Sequence, residues 1–150
     1  MRKLLFLLVF LLSFNNLHSQ KVYCQPMGEP EECILVYLAA KEFIGDTNLV
    51  IIFNPYEPLI PSLEGLTWQY NKQMYLVSIS STIESPLRRI WVIFHEMGHV
   101  IDMYNGTLKP FPVQWKGKPI TKDMPWGERP WEISANEWAE KIWIKLLEKR

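Results

Sequence analysis

The spacing of apolar residues in the first half of the chain predicts a helix, a strand and a hairpin. Helical spacing over residues 31–44 predicts a helix that ends at Gly45. The β-branched run LVIIF at 49–53 predicts a buried strand, and the prolines of 54–65 predict a loop after it. Two further apolar runs, 67–70 and 74–80, are separated by three polar residues and predict a β-hairpin.

The second half predicts two more helices. Ser85 and Pro86 are typical of an N-cap and a first helical position, and the apolar pattern that follows continues to Tyr104, before Gly106. The segment 106–129 is rich in Pro, Gly and Lys and predicts a loop with a short hairpin around residues 115–118. Pro130 opens a last helix that runs close to Arg150. The order of elements predicts one α+β domain over residues 21–150.

Residues 1–20 have the layout of a secretory signal peptide. Arg2 and Lys3 form a basic start, an apolar run covers residues 4–14, and a polar stretch with the small Ser19 follows. The apolar run is shorter than the roughly 20 residues that span a bilayer. We therefore expect cleavage near residue 20, export to a periplasmic or extracellular location, and no stable membrane span afterwards.

Charge and cysteine content limit the classes of partner. The full chain has 16 basic and 16 acidic side chains, and loss of the leader removes two basic ones. A neutral to slightly acidic domain predicts no nucleic-acid partner. Cys24 and Cys33 are nine residues apart, which predicts a disulfide in an oxidising compartment. A metal pair is the alternative, but no histidine or further cysteine lies nearby to complete such a site.

The predicted second helix contains the sequence His95-Glu96-Met97-Gly98-His99. Histidines at i and i+4 lie above one another on a helix, so both can bind one zinc ion. Glu96 is displaced by about 100° around the helix and is placed to act as a general base. On a helical wheel, both histidines fall on a polar stripe, opposite the apolar residues, with Leu87 among the latter.

A catalytic zinc site needs a third protein ligand, and the predicted mature chain has no other histidine. Asp102 is about 10 Å further along the helix than His95, which favours a role in orienting His99. In the last helix, Glu132 is the carboxylate nearest the apolar side of the wheel. Asn136 follows one turn later, where it could hydrogen-bond a ligand. A carboxylate that only favours the helix N-terminus is the alternative for Glu132.

The motif His95-Glu96-x-x-His99, followed by Glu132-Ile133-Ser134-Ala135-Asn136-Glu137-Trp138-Ala139, resembles the gluzincin pattern of zinc peptidases. The second segment, of the form E-x-x-A-N-x-aromatic-A, is similar to the ImmA/IrrE family of small zinc peptidases. The resemblance implies a zincin-like metallopeptidase domain with one zinc ion per chain. It also implies Glu132 as the third ligand, Glu96 as the base and Asn136 as a partner of a ligand.

These residues predict hydrolysis of a peptide bond by a metal-activated water, with a peptide or protein as substrate. The strand at 74–80 is expected to offer a sheet edge for an extended peptide. Tyr104, Tyr70 and Arg129 are the candidate donors to the oxyanion. Two alternatives stay open: an exported module that binds zinc without catalysis, and an effector in which the motif is coincidental.

Overall fold

A computed structural model describes residues 21–25, 30–46, 48–121 and 123–148 of the chain. The predicted signal peptide lies outside the described residues. The elements, in chain order, are β1 (Lys21–Cys24), α1 (Pro30–Phe43), β2 (Val50–Glu57), β3 (Gly65–Asn71), β4 (Met74–Ser80), α2 (Pro86–Tyr104), β5 (Leu108–Pro110), β6 (Val113–Trp115), β7 (Lys118–Pro119) and α3 (Pro130–Trp143). A 3₁₀ turn at Trp126–Glu128 precedes α3, and a π-helical turn at Ile144–Glu148 follows it.

The main sheet has the strand order β1-β2-β4-β3, with β1, β2 and β4 parallel and β3 antiparallel to β4. The predicted hairpin is confirmed, but the predicted edge is wrong. Strand β4 is hydrogen-bonded on both sides, and the two edge strands are β1 and β3. The reason is that β2 pairs with β4 in parallel and covers the side that a lone hairpin would leave free.

Two further strand predictions need correction. Strand β2 continues through Asn54 and Pro55 to Glu57, so the predicted loop begins later than position 54. The β2–β4 register shifts between Asn54 and Glu57, which accommodates a proline that has no N–H to donate. Strand β1 was not predicted at all, because a four-residue segment carries little periodic signal.

Helices α1 and α2 pack on the sheet, and α3 packs on α2. The largest fully buried side chains come from all of these layers: Tyr75, Phe53, Phe94, Leu49, Ile51, Ile79, Ile93, Met97, Ile101, Ile142, Val36 and Val77. A small antiparallel sheet, β5-β6-β7, occupies much of the segment that was predicted as a loop, and its β6–β7 turn is the predicted hairpin. The architecture is α+β.

Local sequence explains where the central helix begins and ends. The Ser85 side chain accepts a hydrogen bond from the backbone N–H of Arg88, and Pro86 occupies the first turn of α2. Beyond the helix, Gly106 has a φ of 75°, a conformation that favours glycine. Both predicted boundaries are therefore confirmed. Leu87, predicted on the apolar side, is 66% exposed, because it lies in the first turn and extends past the core.

The N-terminal strand is joined to the first helix by a disulfide between Cys24 and Cys33, whose Cα atoms are 6.1 Å apart. That separation lies within the range that disulfides require. Within the described residues, no helix is long and apolar enough to span a bilayer.

Candidate metal centre

Three side chains from two helices converge at the boundary between α2 and α3. His95 and His99 lie one turn apart on α2, and Glu132 lies in the first turn of α3. Oε2 of Glu132 is 3.2 Å from Nε2 of His95 and 3.7 Å from Nε2 of His99. One ligand atom from each residue lies within 4.8 Å of the others. This cluster could hold a metal ion.

The donor set and its spacing fit zinc. Donors at about 2.0–2.1 Å from a tetrahedral zinc ion are roughly 3.3–3.4 Å apart, which is close to the two carboxylate–imidazole separations, and all three donor atoms lie within 4.8 Å of one another. Two imidazoles and one carboxylate are the ligands of one common class of catalytic zinc site. Within the described chain, the cluster contains three ligand residues, so a fourth tetrahedral position would remain for another molecule.

Close packing of the two helices brings the ligands together. Gly98 faces α3, and a Cβ atom built there would lie 2.9 Å from the Cα of Ala135 and 2.9 Å from the Cβ of Trp138. Because no larger residue fits without movement, Gly98 allows the backbones to approach at the level of the ligands. The small Ala135, fully buried, has the same effect from the side of α3.

Asn136 lies where it can orient a ligand. Nδ1 of His95 is 2.9 Å from Oδ1 of Asn136. A proton on Nδ1 would be donated to this amide oxygen, which would leave the lone pair of Nε2 for a metal ion; without a metal, a doubly protonated His95 donates from Nε2 to Glu132 as well. The structure therefore shows the hydrogen bond between Asn136 and a candidate ligand that the position of Asn136, one turn after Glu132, predicted.

Asp102 is placed differently from the prediction. Its Oδ1 accepts a hydrogen bond from Nε1 of Trp138 at 3.1 Å, so it anchors α2 to α3. No hydrogen bond joins Asp102 to His99 in the described structure: Oδ2 of Asp102 and Nδ1 of His99 are both buried without a partner. Trp138 engages Oδ1 alone, and the other oxygen, Oδ2, forms no hydrogen bond with the histidine. Burial raises the pKa of the Asp102 carboxyl, against the smaller effect of the hydrogen bond from Trp138.

The surroundings shift the pKa values of the two glutamates of the site, Glu132 and Glu96, in opposite directions. Burial disfavours the charged form of Glu132, but the hydrogen bond with His95 and the nearby imidazole of His99 outweigh it and lower its pKa to about 2. Burial also works against a charged His95, yet the hydrogen bond to Glu132 and the nearby Glu96 raise its pKa. For Glu96, by contrast, burial dominates and raises the pKa.

Glu96 is held by strand β3, which the sequence did not suggest. Its carboxylate Oε2 accepts a hydrogen bond from Oγ1 of Thr67 at 2.6 Å. Gly65, two residues earlier on the same strand, leaves room for the Glu96 side chain. These contacts join residues about 30 positions apart in the chain, so no local pattern could have revealed them.

A mainly apolar pocket of about 190 Å³ opens beside Glu96, His99 and Glu132. Its apolar lining comes from the edge strand, the end of α2, the small sheet and the start of α3: Leu63, Leu66, Met103, Leu108, Pro110, Val113, Trp126 and Trp131. Thr67 also lines it. The segment between α2 and α3 thus forms one wall of the cleft.

The three candidate oxyanion donors are dispersed. The Tyr104 hydroxyl donates to Asp46, and both Tyr70 and Tyr104 line a separate groove. Arg129 is the nearest to the pocket, since its guanidinium lies over Trp126 at 4.5 Å and Trp131 at 5.8 Å.

The chain matches no protein-family model, no curated protein and no solved structure.

Proposed function

We propose that this protein is an exported zinc-dependent peptidase of the gluzincin type with a zincin-like domain. The observation that carries the proposal is the convergence of Glu132 on His95 and His99, with the buried carboxylate of Glu96 on the same helix. A zinc ion held there would polarise a water molecule and the carbonyl of a substrate.

Glu96 has the properties of the general base in this reaction. Burial raises the pKa of Glu96 towards neutral pH, and a carboxylate with a higher pKa is a better proton acceptor. Thr67 occupies Oε2, so Oε1 is the atom available to accept a proton from the attacking water. The same group can then deliver the proton to the leaving amine.

The surroundings favour an extended peptide as the substrate. Strand β3 is an edge strand of the main sheet and lines the pocket, so its unpaired side can pair with an added strand. The adjoining pocket is large enough for an apolar side chain, since cavities of about 150 Å³ admit benzene. We therefore propose cleavage of peptide bonds next to an apolar residue such as Leu or Phe.

The number of ligands favours catalysis over a structural metal. Structural zinc sites are closed by four protein ligands, whereas catalytic sites keep one position open. The cluster has three ligand residues in the described part of the chain, and the pocket borders them directly. The alternative of an exported zinc-binding module without catalysis makes no use of Glu96 or of the pocket.

The test is cleavage by the purified, zinc-loaded chain without residues 1–20. Its substrates are an unfolded protein and peptides that differ by Leu, Phe or Asp at one position. We expect cleavage next to Leu or Phe, loss of activity in Glu96→Gln with zinc retained, and full activity in the exposed control Glu140→Gln. Wild-type activity in Glu96→Gln would contradict the mechanism. A zinc-loaded protein that cleaves none of these substrates would favour the binding module.

A further inference from the structure

Two residues of the edge strand contact the Glu96 carboxylate from the same side. Gly65 and Thr67 are two positions apart in β3, so they point to the same face of the sheet. Thr67 is partly buried and Gly65 is buried. The intervening Leu66 is exposed, which agrees with the alternation of the strand.

Thr67 makes a strong contact with the carboxylate. Its Oγ1 lies 2.6 Å from Oε2 of Glu96 and 3.1 Å from the backbone oxygen of the same residue. A hydroxyl has one hydrogen to donate, and the shorter distance is in the range of charge-assisted hydrogen bonds to a carboxylate. The hydroxyl therefore fixes one carboxylate oxygen and leaves the other free.

Gly65 provides the space that the carboxylate fills. A Cβ atom built on Gly65 would lie 2.4 Å from Oε1 and 2.7 Å from both Cδ and Cγ of Glu96. Its three nearest neighbours all belong to that one side chain. A side chain at position 65 would therefore displace Glu96 before it disturbed anything else.

We infer that β3 is a positioning element for the base, in which Thr67 fixes the Glu96 carboxylate and Gly65 leaves room for it. The catalytic meaning of this inference rests on the proposed function, whereas the packing itself does not. Because β3 is also an edge strand of the sheet, a peptide paired with it would be aligned by the strand that holds the base.

The first experiment compares Thr67→Val and Thr67→Ser in the zinc-loaded protein. Valine keeps the shape of the side chain but cannot donate, so we expect kcat to fall roughly 10- to 100-fold. KM and zinc content should change little, and serine should restore most of kcat. Thr82→Val is the matched control, because Thr82 is exposed and its hydroxyl contacts Ser80. A Thr67→Val protein with the wild-type kcat would overturn the inference.

The second experiment needs no activity. Gly65→Ala is introduced into the metal-free wild type and into Glu96→Ala, and thermal unfolding is measured for all four proteins. We expect the glycine substitution to lower the melting temperature by several degrees when Glu96 is present and by much less when its side chain is removed. Equal losses in both backgrounds would overturn the inference. A zinc-loaded wild type without peptidase activity would instead contradict the proposed function.

Discussion

Oε2 of Glu132 lies 3.2 Å from Nε2 of His95, across the contact between two closely packed helices. The carboxylate is buried, and it also lies within 3.7 Å of Nε2 of His99. A buried carboxylate between two imidazoles is the arrangement expected of a third metal ligand.

We expect the wild-type domain to purify with about one zinc ion per chain and Glu132→Ala to lose most of it. Glu96→Ala should keep its zinc, because Glu96 is a base in this proposal and not a ligand. Elemental analysis of the purified proteins measures both results, with Glu140→Ala as a control on the exposed face of the same helix. Full retention of zinc by Glu132→Ala would rule out the assignment.

The hydrogen bond between His95 and Asn136 predicts a smaller effect on the same property. Asn136→Ala removes the acceptor at Nδ1 and should weaken zinc binding by about 10- to 100-fold. Asn136→Asp keeps an acceptor oxygen at that position and should bind zinc nearly as well as the wild type. Competition with a chelator measures these affinities, and equal values for the alanine and aspartate variants would contradict the orienting role.

The parts of this site that could be predicted from the sequence are those that follow from helix geometry. The i, i+4 spacing of His95 and His99 depends only on the pitch of α2, and the inward position of Glu132 depends only on the wheel of α3. Neither requires knowledge of the sheet. The predicted carboxylate does point to the histidines, because the two apolar helix faces pack together.

The parts that could not be predicted depend on contacts between distant segments. The parallel pairing of β2 with β4 places β4 inside the sheet and β3 at its edge. Parallel pairing leaves no turn signal in the sequence. The partner of Asp102 is Trp138, on another helix. Thr67 is an ordinary strand residue until the fold brings β3 beside α2.

The close packing at Gly98 leads us to expect that the distance between α2 and α3 controls zinc binding at the site. Alanine normally stabilises a helix by about 1 kcal/mol relative to glycine. Here, the added Cβ would meet Ala135 and Trp138 at 2.9 Å, so we expect a net destabilisation of roughly 1–3 kcal/mol. Zinc affinity should also fall, because α3 carries Glu132. Gly106→Ala has no such neighbours but loses a favoured positive φ, so it should destabilise without weakening zinc binding. Urea unfolding and chelator competition separate the two effects.

Acid should destabilise the metal-free protein through Glu132. The folded-state pKa is about 2, below the ordinary value of 4.5, so the ionised carboxylate contributes stability that is complete above pH 4.5. That contribution is lost as the pH falls from 4.5 towards 2. Glu96 has the opposite shift, and its contribution to stability changes only above its ordinary pKa of 4.5. We expect Glu132→Gln to lose less stability than the wild type between pH 4.5 and 2 in urea unfolding; parallel curves would contradict this.

The last prediction concerns a buried ion pair that joins α1 to α2. Nε and Nη2 of Arg89 lie 2.7 and 2.9 Å from the two carboxylate oxygens of Glu32, and both residues are buried. Arg89 also donates to the backbone oxygen of Ser80 in the sheet. Removal of the arginine would leave a buried carboxylate without a partner, which destabilises by about 3–5 kcal/mol.

The neighbouring pair of Arg88 and Glu64 is a matched control, because both side chains are about half exposed. Arg89→Met should therefore be far more destabilising than Arg88→Met, which is expected to change the free energy of unfolding by less than about 1 kcal/mol. Adding Glu32→Leu to Arg89→Met should recover part of the loss, because it removes the unpaired charge and leaves the backbone oxygens of Ser80 and Pro55 without their donor. Equal losses for the two arginine variants would show that the buried pair has no special role in joining the helices to the sheet.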